Sequence, residues 1–235
     1  MTVGIIGLGL IGGSLAKAFC REEGNTVLGW DTDSTIVEFA QIAQAIHGPL
    51  TDERLGELDL LLLATYPEAV VEHMTRLAPL LSKHTMVIDC AGTKEKVCAG
   101  VFPLAERYGF RFLGGHPMAG TEFSGVEHAF AEMFRDSHFL LVPRDDSRPE
   151  HIALLERLAA YIGCKDVCRT TAQAHDALIA YTSQMMHIIA VSACDDPMLF
   201  TCKGFEGSSF RGCTRVAALD VPLWTQLFTI DRKSV

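Results

Sequence analysis

The chain has 235 residues, 49% of them apolar and 21% charged, with a formal net charge of −9. That length can bury a real core in one large domain or two small ones, and the acidic balance argues against a nucleic-acid or anionic-membrane binder, which needs a basic patch. The eight cysteines, at 20, 90, 98, 164, 168, 194, 202 and 213, form no C-x-x-C pair and have mostly apolar neighbours; they read as reduced core thiols, and neither a metal centre nor a secreted disulfide framework is expected.

The opening "VGIIG" (3–7) is short, apolar and β-branched, so a buried parallel strand is expected. No basic segment precedes it, which argues against a secretion signal and makes the cytoplasm the expected location. Gly7, Gly9 and Gly12 then form G-x-G-x-x-G, and "SLAKAFCREEG" continues with helical spacing. Gly7 allows a tight turn, Gly9 lets a pyrophosphate approach the backbone, and Gly12 lets the helix pack on the sheet. The first helical turn, with Leu10 and Ile11, offers unpaired N–H groups to phosphate. "TVLGWD" reads as a second strand ending in Asp31, 19 residues after Gly12, where a carboxylate can accept hydrogen bonds from a ribose diol. That carboxylate would repel a 2′-phosphate, and no Arg follows it, so NAD is favoured over NADP.

The alternation continues with a helix over 33–45 and a strand in "LDLLLLAT" (58–65), too short to span a membrane. A helix follows over 67–81 with Pro67 at its first turn, then a strand at 85–90, then a helix over 94–109 with Pro103 as a break or kink. Strands are expected at 110–117 and 137–143, a helix in "HIALLERLAAYIG", and a last short strand in "KDVCRTT". This pattern predicts a doubly wound parallel sheet, whose ligands bind beyond the strands' carboxyl ends. The loops "ATYPE" (with Thr65), "DCAGTKE" (with Lys94) and "GGHPMAGTEFSG" should therefore face the cofactor. Beyond about residue 170 the strand signal stops. "AQAHDALIAYTSQMMHIIAVSAC" reads as one long helix, and the remainder is helical to an uncapped end. The expected division is 1–170 for nucleotide binding and 171–235 for a helical substrate part. A helical unit so short needs another surface to pack on, so a homodimer through the C-terminal helices is expected, with a shortened C-terminus.

Several side chains could carry chemistry. His116, between paired glycines after a strand, is placed either for proton transfer or simply on a surface loop. His175 and His187 lie twelve residues apart on one helix, about 18 Å, too far to share a metal. His187 reads equally as a core histidine. Arg211 and Arg215, at i and i+4, put two guanidinium groups on one helix face, suited to a dicarboxylate.

The glycine-rich start, "DCAGTK", "GGHPMAGTE", "HDALIAYTSQMMH" and "SSFRGCTRVAALDVPLW" resemble, in order and approximate spacing, the prephenate dehydrogenase family of tyrosine biosynthesis. The resemblance implies a Rossmann-type nucleotide domain, an all-helical C-terminal domain, and NAD and prephenate bound between them. It implies oxidative decarboxylation to 4-hydroxyphenylpyruvate, with His116 as the catalytic base. It assigns Arg215 to a substrate carboxylate, with Arg211, His187, Thr121, Glu122 and Trp224 around the pocket and His175 in support. Two departures stand out. Gly92 replaces a serine that orients the histidine and the nicotinamide, with Thr93 offering a hydroxyl one position later; Gln184 replaces a pocket histidine. They bear on substrate choice, because arogenate differs from prephenate only by an amino group in place of a keto group. Arogenate or dual-specificity cyclohexadienyl dehydrogenase is the neighbouring reading, and a non-catalytic NAD-sensing module the reading of a different class.

Overall fold

The computed structural model describes residues 1–121, 123–144 and 147–230. Eight strands form one sheet in the order β3-β2-β1-β4-β5-β6-β7-β8. They are β1 (Thr2–Ile6), β2 (Thr26–Trp30), β3 (Gly48–Pro49), β4 (Leu60–Leu63), β5 (Met86–Asp89), β6 (Arg111–Pro117), β7 (His138–Val142) and β8 (Asp166–Arg169). The central strands are buried on both faces, which is why β4 reads as an unbroken run of leucines. Helices α1 (Leu10–Cys20), α2 (Ser34–Ile42) and α5 (Pro149–Tyr161) cover one face through Leu15, Phe19, Ala40, Leu155 and Ala159. Helices α3 (Pro67–Leu77) and α4 (Glu95–Tyr108) cover the other through Val70, Met74, Val97 and Val101. The order reverses between β1 and β4, which opens the crevice where such sheets bind nucleotides.

Two expectations change. The sheet is not wholly parallel, because β7 runs antiparallel to β6. A parallel return needs a crossover helix, and the described part of the β6–β7 link holds only a short 3-10 turn at Val126–His128. Nor does Pro103 break α4: it lies on the exposed side while Val97, Cys98 and Val101 anchor the buried side, and the helix ends at Gly109 in the left-handed region (φ 85°).

Every strand among the described residues precedes Thr170, and the described chain beyond it is helical. Helix α6 (Ala172–Ile179), a π-helical segment (Ala180–Gln184) and α7 (Met185–Cys194) form one 23-residue run. By length and composition this run could cross a membrane, with a mean hydropathy of 1.4, although it contains Asp176. Helices α8 (Ser208–Thr214) and α9 (Val221–Ile230) follow. Much of this apolar surface is open: Tyr181, Met198, Phe200 and Phe205 are 67–90% exposed.

Candidate active site

The first glycine loop has the shape its spacing implies. Gly7 has φ 85°, and a Cβ there would lie 2.4 Å from the Ala64 carbonyl oxygen; a Cβ on Gly12 would lie 1.7 Å from the Gly7 carbonyl oxygen. A Cβ on Gly9 would meet nothing within 4 Å, so this backbone is open for a bulky anion. The first helical bond is Gly13 N–H to Gly9 C=O, leaving the amides of Leu10 and Ile11 at the positive end of α1. Asp31 braces the loop from β2, its Oδ2 accepting from Leu8 N–H at 2.7 Å and its Oδ1 from Asp33 N–H at 3.2 Å. Thr65 is brought beside Gly7, 3.4 Å from where a Cβ would stand. An unobstructed glycine, free first-turn amides and a carboxylate at the second strand's end fit a dinucleotide.

At the carboxyl end of β6, His116 points toward the helical part. Its Nδ1 lies 3.0 Å from His175 Nε2, and His175 Nδ1 lies 2.7 Å from Asp176 Oδ1. Asp176 also accepts from the backbone N–H groups of Lys94 (2.7 Å) and Glu95 (2.8 Å) at the start of α4. Counting donors sets the tautomers. The carboxylate can only accept, so His175 donates through Nδ1 and offers a lone pair at Nε2. His116 must then donate through Nδ1, which leaves its Nε2 lone pair for a ligand. Burial, His175 and Lys94 together push the His116 imidazole well below the ordinary histidine value, so at neutral pH it is a base.

A buried ion pair sits beneath this chain. Lys94 Nζ and Asp89 Oδ2 pair directly, and both side chains are wholly inaccessible. Asp89 Oδ1 also accepts from Gly115 N–H, next to His116, at 3.1 Å. Asp89 thus ties β5 to β6 and to Lys94, whose backbone N–H holds Asp176, while the Lys94 side chain, expected to face the cofactor, is turned into this ion pair. Neighbouring Thr93 is buried, and its Oγ1 has no hydrogen-bond partner among the described residues, a group that bound ligand would satisfy. A Cβ on Gly92 would lie 3.4 Å from Leu227 of α9, so an apolar side chain faces the position where the resemblance implies a serine.

The second half of the site comes from the helices. His187 donates through Nδ1 to the Ser183 carbonyl oxygen at 2.9 Å. Its ring packs on Trp224 with centroids 3.7 Å apart. Burial first, and the nearby Arg215 charge, lower its pKa. Residues twelve apart on an unbroken α-helix point about 120° apart; one inserted residue at the π segment removes about 100°, turning His175 and His187 toward one side. Helix α9 docks on the start of α3: Gln226 Nε2 donates to Glu68 Oε2 at 3.0 Å, and Tyr66 Oη donates to Asp220 Oδ2 at 3.4 Å. Arg211 and Arg215 are exposed, and Arg211 Nη2 donates to the Glu206 carbonyl at 3.3 Å. Thr121 is exposed and bonded within its own turn to Phe123, while Glu122 lies outside the described residues.

Sequence reasoning singled out His116, His175, His187 and Trp224, and the fold gives each a specific partner. It overlooked Asp176 and Asp89. The only signal for Asp176 was an acid directly after His175, and nothing local told it from a solvated helix charge.

Residues 15–168 match the family model described as prephenate dehydrogenase, nucleotide-binding domain. The chain is 30% identical to the cyclohexadienyl dehydrogenase of Zymomonas mobilis over 96% of its own length and 79% of that protein. It is 27% identical to the prephenate dehydrogenase of Bacillus subtilis over its whole length and 65% of that protein. In three dimensions it is similar to the A. aeolicus prephenate dehydrogenase solved with hydroxyphenyl propionate and NAD+ (TM-score 0.88, 27% identity, 100% of this chain and 84% of that one).

Proposed function

The chain belongs to the prephenate dehydrogenase family and is an NAD-dependent oxidoreductase, and we propose that it converts prephenate to 4-hydroxyphenylpyruvate through the site described above. The observation that carries this reading is the chain Asp176–His175–His116, which leaves one unprotonated imidazole nitrogen at the carboxyl edge of the sheet.

NAD, held at Gly7, Gly9, Leu10, Ile11, Gly12, Asp31 and Thr65, supplies the acceptor for the hydride that leaves C4 as the ring carboxylate departs as carbon dioxide. His116 Nε2 accepts the C4 hydroxyl proton as the carbonyl develops and returns it to the same oxygen when loss of carbon dioxide turns the ring into a phenol. The positive charge that appears on His116 is shared through Nδ1 with His175 and Asp176, much as a carboxylate supports an imidazolium in a catalytic triad. Arg215 pairs with a substrate carboxylate, with Arg211 beside it; His187 and Trp224 form the pocket wall, and Thr93 and Thr121 border it. The ring gains aromaticity, so the protein's task is positioning and proton removal.

The substrate-facing helices work as a homodimer. Their exposed apolar residues, Tyr181, Met198, Phe200 and Phe205, form the kind of surface that a second copy covers. Formation of NADH with prephenate and with arogenate, each with NAD and NADP, tests the activity. Turnover of prephenate with NAD is expected; binding of NAD without reduction by either substrate overturns the reading, and arogenate turnover alone selects the neighbouring one.

A further inference from the structure

At the outer edge of the sheet, away from the nucleotide loop, three metal-ligating side chains meet. His138 opens β7 and Asp166 opens β8; they are in-register neighbours, so their side chains share one face, and Cys168, two residues on, shares it too. His138 Nδ1 lies 2.5 Å from Asp166 Oδ1, Cys168 Sγ lies 3.8 Å from the same oxygen, and all three ligand atoms lie within 4.8 Å of one another. All three residues are exposed.

We propose that His138, Asp166 and Cys168 form a binding site for a zinc-class divalent cation, separate from the dehydrogenase site. Bonds of about 2.0–2.3 Å in tetrahedral geometry place ligand atoms about 3.4–3.6 Å apart. The three atoms reach that spacing by side-chain shifts of about 1 Å, with the sheet holding the backbones in register. One nitrogen, one oxygen and one sulfur suit Zn²⁺ or Co²⁺ and not the oxygen-seeking Mg²⁺ or Ca²⁺. Three protein ligands leave a fourth position for water. Binding replaces the Cys168 S–H bond with a sulfur–metal bond, the proton passing to solvent. The ion ties β8 to β7 immediately before the chain enters α6, where Thr170 N–H already bonds to Leu141 C=O at 2.9 Å.

The test is titration of the chelator-treated full chain with Co²⁺, read by thiolate-to-cobalt absorption, and with Zn²⁺, read by calorimetry and thermal unfolding. The expected result is about one equivalent bound, a thiolate band, and a higher melting temperature. Cys168→Ser should remove the band, and His138→Ala or Asp166→Asn should weaken binding about 10-fold or more; Cys213→Ser and His116→Asn should change neither. No binding at millimolar metal overturns the proposal. So does binding that survives Cys168→Ser or disappears with His116→Asn, which would place the ion at the dehydrogenase site.

Discussion

The sheet region and the helical region are held together by different forces. Before Thr170, apolar strands and helices bury whole faces, with Val3, Ile5, Leu8, Leu61, Leu63 and Phe134 fully enclosed. Beyond it, few side chains are buried, and three of them, His175, Asp176 and Gln184, are polar. The helices are attached by directed bonds instead: His116 to His175, the Lys94 and Glu95 amides to Asp176, and Glu68 to Gln226. A region that buries apolar area stands by itself; one attached by polar contacts depends on each contact's geometry. His116, the proposed base, sits where the two meet, so the bond that orients it also helps hold the helices in place.

That contrast can be broken at graded cost. His116→Asn removes the base but little of the packing. Its kcat should fall about 10³-fold, within the range for loss of general-base catalysis, while NAD titrated by fluorescence still binds; retained turnover would end the proton-transfer role. Arg215→Ala should raise the KM for prephenate about 10- to 100-fold, the worth of a charge-assisted pair, and leave that for NAD alone. Equal effects on both would remove the carboxylate contact. Asp176→Asn should lower kcat about 10-fold or more, because His175 loses its charged support, and should also lower the melting temperature. The sharpening measurement is the ratio: a stability loss without a kcat loss makes Asp176 a brace and nothing more.

Smaller effects separate the regions further. Asp31→Ala touches only the nucleotide half, so it should weaken NAD several-fold, relax discrimination against NADP and leave the prephenate KM unchanged. The pH dependence has a definite sign. His116 is depressed in the folded chain and ordinary in the unfolded one. Below about pH 6.5 the unfolded state therefore binds a proton that the native state resists, and stability falls as pH drops through that range. Denaturant midpoints between pH 5 and 8 measure this; His116→Asn should flatten the curve.

Much of the sheet region could be read from local pattern, because a buried parallel strand needs an unbroken apolar run and a phosphate loop needs glycines at fixed spacing. The antiparallel turn of β7 could not, since it follows from a missing crossover helix in a loop of ordinary composition. Pro103 misled for a related reason: an exposed proline costs a helix one bond, and packing of Val97, Cys98 and Val101 outweighs it. In the candidate site, His116 stood out through its motif, yet nothing local to His175 indicated that it would face His116.

What this amino-acid order determined by itself was therefore the one-dimensional part: alternating elements, the turn at Gly7, the opening at Gly9, and a carboxylate at the end of the second strand. Those features depend on neighbours within a few residues, where backbone sterics and periodicity decide. Tertiary structure alone decided that residues 89, 94, 116, 175 and 176 form one connected polar chain. Its bonds span separations of up to 82 residues, and a hydrogen bond at that range exists only once the apolar core has set the distance.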